Sequence, residues 1–167
     1  LSAASLAVAV ARPRTDPVPV EVEQSGRDIV FLVDVSRSML AEDLAPNRLK
    51  RAKLWIRDLV RSRPGDRIAL VAFAGSAAVK CPLTLDRAFF ELMLEQLDHR
   101  SAPVGGTTIG DAIRKTLREV YEADESEAWD GPVTRDIVLI TDGGDQDSFP
   151  VQAASAAGRA GVRIIAL

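Results

Sequence analysis

Three short, unbroken apolar runs constrain this chain more than any other feature: Ile29 to Val33 (IVFLV), Ile68 to Phe73 (IALVAF) and Ile137 to Ile140 (IVLI). Runs of β-branched and aromatic residues without polar alternation mark strands buried on both faces, as in parallel sheets sandwiched between helices. Helical spacing lies between the runs. Leu49, Ala52, Ile56, Leu59 and Val60 form an apolar stripe that opens after Pro46 and Asn47 and stops at Pro64 and Gly65. Phe89, Leu92, Met93 and Leu97 form a second stripe, and Ile109, Ala112, Ile113, Leu117 and Val120 a third. Such stripes read as core-facing surface rather than as cofactor boxes. The alternation predicts an α/β fold with a doubly wound, mainly parallel sheet and helices on both faces. One link is too short for a crossover helix: the turn at Gly75 and Ser76 predicts a hairpin and one antiparallel edge strand, about Ala77 to Cys81.

The chain has 167 residues, 47% of them hydrophobic and 27% charged, which suits one domain of ordinary size and excludes intrinsic disorder. With 21 basic and 24 acidic side chains the net charge is −3, and no basic groove for nucleic acid is expected. The single cysteine, Cys81, and the single histidine, His99, exclude an internal disulfide and a His/Cys zinc site. Cys81 reads as a buried small hydrophobe and His99 as a solvated helix-end residue, a poor general base. Residues 1–24 read as the end of a membrane anchor or signal segment followed by a Pro-containing linker, and residues 25–167 as the globular domain. VRIIAL at 162–167 reads as a strand, after which a final helix is expected.

In an open parallel sheet, ligands collect at the carboxyl ends of the strands. After the first run comes Asp34-Val35-Ser36-Arg37-Ser38; after the last comes Thr141-Asp142-Gly143-Gly144; and Gly105-Gly106-Thr107-Thr108 opens the third helix. Two carboxylates with several hydroxyls, and no nitrogen or sulfur donor, suit a hard cation: Mg²⁺ first, with Mn²⁺ or Ca²⁺ compatible with the same donors. Two threonines compete for the ion. Thr108 with Asp111 three residues on has the form of a helix N-cap, which leaves Thr107 to face the metal. Asp145, Asp147, Glu42 and Asp43 read as solvated acids, with an extension of the metal site as the alternative. Arg37, between two candidate ligands, either steers an acidic partner or points into water.

These motifs, in this order, resemble the von Willebrand factor A domain and its metal-ion-dependent adhesion site. Within that superfamily DVSRSMLAEDLAPNRLKRAK, GDRIALVAFAGSA, CPLT and GGTTIGDAI are similar to the Bat-type bacterial membrane proteins associated with aerotolerance. The resemblance implies a metal set of Asp34, Ser36, Ser38, Thr107 and Asp142. It implies that the hydroxyls bind directly and the aspartates largely through water, with one coordination position left for an acidic residue of a partner protein. It further implies a non-enzymatic adhesion or scaffold role at the bacterial inner membrane, with the domain on the periplasmic side. The competing class is a Mg²⁺-dependent phosphoryl-transfer hydrolase using Asp34 as nucleophile. Enzymes of the haloacid dehalogenase type resemble D-x-D at that position, where this chain has Ser36. A dinucleotide-binding domain would need a glycine-rich turn after the first strand, and D-V-S-R-S has none.

Overall fold

The computed structural model describes residues 26–102, 105–124, 133–145 and 148–167. The anchor or signal segment and the linker expected over residues 1–24, and Asp147, lie outside the described residues. Five strands form one sheet: β1 (Arg27–Asp34), β2 (Arg67–Phe73), β3 (Ala77–Thr84), β4 (Thr134–Ile140) and β5 (Val162–Ala166), in the order β3-β2-β1-β4-β5. The β1, β2, β4 and β5 pairings are parallel, and β2 with β3 is the expected antiparallel edge pair. β3 runs three residues further than its sequence suggests, with register shifts between Ile68 and Val71 of its partner.

Four helices cover the sheet: α1 (Arg48–Ser62), α2 (Arg87–Gln96), α3 (Ile109–Thr116) and α4 (Pro150–Arg159). Alternate residues of β1, β2 and β4 feed two separate cores. Ile29, Phe31 and Val33 of β1 pack with Ile56 of α1 and with Phe90 and Leu94 of α2. Val30 and Leu32 pack with Ala112 and Ile113 of α3 and with Ala153 and Ala157 of α4. Burial on both sides explains the unbroken apolar runs, since no residue of the three runs faces water. α1 starts where proline and asparagine predict, with the Asn47 side chain accepting the Lys50 amide at 2.8 Å.

The α2 stripe is corrected by one residue. Phe90, Leu94 and Leu97 are buried with Met93 packed against them, whereas Phe89 and Leu92 are exposed. In AFFELMLEQL two registers satisfy helical spacing equally, and the one chosen sets Phe90 against Phe31 in a tilted pair, ring centroids 5.7 Å apart. The third stripe begins as α3 but continues through a π-helical turn, Leu117–Glu122, that keeps Leu117 and Val120 in the core. Cys81 is fully buried, and burial pushes its thiol up to about 11, as fits an inert core residue.

At the amino ends of the strands a charged cluster is buried. Arg67, 5% exposed, grips Asp28 with two contacts of 2.7 Å and reaches Asp124 at 2.8 Å. The Tyr121 hydroxyl donates to the Asp136 carbonyl at 2.7 Å, and burial raises its pKa. Among the described residues no helix is long and apolar enough to cross a membrane.

Candidate functional site

β1 has β2 on one side and β4 on the other, so the chain reverses its winding direction between β1 and β4. At such a switch point the loops beyond the two strands diverge and leave a crevice. Asp34, the last residue of β1, stands there fully buried. Its Oδ1 accepts the Ser36 amide at 2.8 Å, and its Oδ2 accepts the Thr141 hydroxyl at 2.8 Å. No described lysine, arginine or histidine comes within ion-pairing distance of it. A carboxylate removed from water and held only by neutral donors lacks the counter-charge that buried ions normally have.

Beyond Asp34 the chain makes a single 3₁₀ turn, Arg37–Leu40. This curl brings the Ser36 and Ser38 hydroxyls to 2.9 Å of each other, so the alternate positions of D-x-S-x-S converge. Thr107 is buried and lines a cleft of about 790 Å³ together with Ser36, Gly105 and Gly106.

Thr108 occupies the N-cap position of α3 as expected, but its side chain makes no capping hydrogen bond. Its amide and hydroxyl both donate to the Ala74 carbonyl, at 2.9 and 3.2 Å, tying the loop to the end of β2. The capping groups come from a distant loop instead: Asp145 Oδ1 accepts the Ile109 amide at 2.9 Å, and the Ser148 hydroxyl accepts the Gly110 amide at 2.7 Å. Asp145 therefore neither joins the candidate ligands nor sits free in solvent. Partial burial works against its charge, but the Ser148 hydroxyl and the Ile109 and Ser148 amides prevail and hold its carboxyl below the ordinary value. Gly110 permits this junction, because a Cβ there would run into the Ser148 carbonyl oxygen.

Asp142 lines a different groove from Ser36 and Thr107 and is ion-paired. Its Oδ2 accepts Arg48 Nη1 at 3.1 Å, while Arg48 Nη2 and Nε bind Asp43 at 2.7 and 2.9 Å. The hydrogen bond from Arg48 holds the Asp43 carboxyl below its usual range. Asp43 is thus an ion-pair partner rather than a loose surface acid. Arg48 could not be singled out from the sequence, since its contact with Asp142 spans 94 positions. Arg37, His99 and Arg100 are exposed and line the same cleft as Ser36 and Thr107.

The arrangement is one of hard oxygen donors, and it fits a divalent cation better than a soft metal. Among the described residues no three His, Cys, Asp or Glu side chains cluster for metal binding; the candidate set relies on hydroxyls.

Comparison with known proteins agrees with this architecture. The crystal structure of the conserved hypothetical protein BatB from Bacteroides thetaiotaomicron superposes with a TM-score of 0.76 at 33% identity, covering 84% of this chain and 65% of that one. An aerotolerance-related membrane protein from Bacteroides fragilis gives 0.75 at 33% identity, covering 84% and 66%. Proximal thread matrix protein 1 of the mussel byssus, solved with a zinc-occupied MIDAS motif, gives 0.69 at 25% identity, covering 85% and 35%. An uncharacterized protein of Borreliella burgdorferi is 34% identical over 144 residues, 86% of this chain, and the chain spans only about 40% of the length of the curated relatives it matches. The profile of the von Willebrand factor type A domain matches residues 29–145, and the chain belongs to that family.

Proposed function

We propose that this domain is a metal-dependent protein-binding module that holds Mg²⁺ and offers it to a carboxylate of a partner protein within a membrane-associated assembly. Ser36, Ser38 and Thr107 supply neutral hydroxyl oxygens, and Asp34 and Asp142 supply the negative charge. A cation in this set keeps much of its electrophilicity, because at most two carboxylates offset its charge. When bound, it supplies a Lewis-acidic position at which a partner carboxylate replaces water.

The observation that carries this reading is Asp34, a fully buried carboxylate at the switch point with an amide, a hydroxyl and no described cation around it. The zinc-occupied MIDAS motif of the mussel byssus protein, and the description of the Bacteroides fragilis relative as a membrane protein, support the metal and the setting. The inner membrane, with the domain on its periplasmic side, is the matching location. Phosphoryl transfer has less behind it, since Ser36 stands where a second carboxylate would act and its hydroxyl is bonded to Ser38. Capture from membrane extracts tests the proposal. A partner should be retained in Mg²⁺, released by EDTA and lost with Ser38→Ala, whereas retention in EDTA would contradict it.

A further inference from the structure

The cleft beside the candidate metal ligands has a sign of its own. Of its described lining residues Arg37, His99 and Arg100 are the titratable ones, and none of the described ones is acidic. Arg37 follows Ser36 directly and starts the 3₁₀ turn. His99 and Arg100 come from the turn after α2, so two separate segments deliver basic groups to one cleft. Neither arginine makes a salt bridge with a described carboxylate. The nearest acid in sequence, Asp98, lines a different groove and is held by the Arg100 amide at 2.9 Å and the Ser101 hydroxyl at 3.1 Å. Asp142 and Asp43 lie in another groove, beside Arg48, and Asp34 is fully buried. A space of about 790 Å³ has room for several residues of an extended peptide, more than one carboxylate needs.

We infer that this cleft takes an acidic segment of the partner, in which one carboxylate addresses the metal and a second is read by Arg37 and Arg100. The inference rests on the metal-dependent reading above but adds a separate contact to it. Paired exposed arginines contribute little to affinity individually, yet they select which acidic sequence docks and in which direction.

Titration of the ¹⁵N-labelled 167-residue chain by NMR tests this with blocked Gly-Ser peptides carrying no glutamate, one glutamate, or two glutamates separated by one or two residues. A second glutamate raises affinity about 2-fold by statistics alone. In Mg²⁺ the two-glutamate peptides should bind about 10-fold more tightly than the one-glutamate peptide, a difference of about 1.4 kcal/mol. The double variant Arg37→Gln/Arg100→Gln should return that ratio to about 2 while one-glutamate binding stays Mg²⁺-dependent. Raising NaCl to about 0.5 M should shrink the ratio in the unaltered chain as well. A ratio no greater than the statistical one, or one that the double variant or high salt leaves intact, overturns the inference and leaves the metal reading standing. One-glutamate binding that ignores EDTA overturns the metal reading itself, and absence of binding by every peptide overturns both.

Discussion

The Thr141 hydroxyl, one residue past β4, donates to Asp34 Oδ2 at 2.8 Å, joining the ends of the two strands that flank the switch point. Removing it strands an oxygen of a buried carboxylate. Thr141→Val keeps the shape and should destabilise the metal-free domain by about 1–3 kcal/mol, the cost of an unsatisfied buried acceptor. Urea denaturation in EDTA measures it, and the loss should shrink when Mg²⁺ is added.

Arg48 already places a positive charge on Asp142, at 3.1 Å, so it competes with any cation that Asp142 helps to hold. Arg48→Gln should therefore raise Mg²⁺ affinity by about 5-fold at low ionic strength, the scale of one unit charge across a partly solvated gap. Stability without metal should change little, since the pairs are partly exposed. Calorimetric titration of the variant checks both; weaker Mg²⁺ binding would show that Arg48 positions Asp142 instead.

Much of this was legible in the sequence, for identifiable reasons. Unbroken apolar runs determine that strands are buried on both faces, and Gly75 and Ser76 determine the one hairpin, because both signals are local. Asp34, Ser36 and Ser38 were legible as a unit because one turn of chain carries all three. Contacts between distant segments were not. The local Thr108-x-x-Asp111 pattern located the start of α3, but the side chains that cap it, Asp145 and Ser148, come from a distant loop. The α2 register was ambiguous because Phe89 and Phe90 are adjacent, and only the Phe31 ring opposite decides between them.

The Arg67–Asp28 pair, far from the candidate ligands, governs stability. Arg67→Met would leave Asp28, fully buried, without its bidentate partner at 2.7 Å. Breaking one side of such a pair costs about 3–5 kcal/mol. Thermal unfolding should show a large drop, partly recovered by adding Asp28→Asn.

Asp145 links acid stability to the α3 cap. Its folded-state pKa lies below the ordinary 3.8, so its contribution is complete above that value and disappears as pH falls through the lower, folded value. Asp145→Ala should cost about 1 kcal/mol near neutral pH, as for other lost caps. Its melting temperature should fall less than that of the unaltered chain between about pH 5 and pH 3. A melting difference that does not change with pH would separate the cap from the charge.

The central claim is that Asp34, Ser36, Ser38, Thr107 and Asp142 hold one divalent cation. Isothermal titration of Mg²⁺ into the EDTA-treated, dialysed chain, beside Ser38→Ala, tests it most directly. Ser38 is exposed, so its loss should leave the core intact. The unaltered chain should give a saturable one-to-one isotherm and Ser38→Ala at least a 10-fold weaker one, with the same circular dichroism. A flat isotherm for the unaltered chain, or equal affinity for the two proteins, would contradict the account.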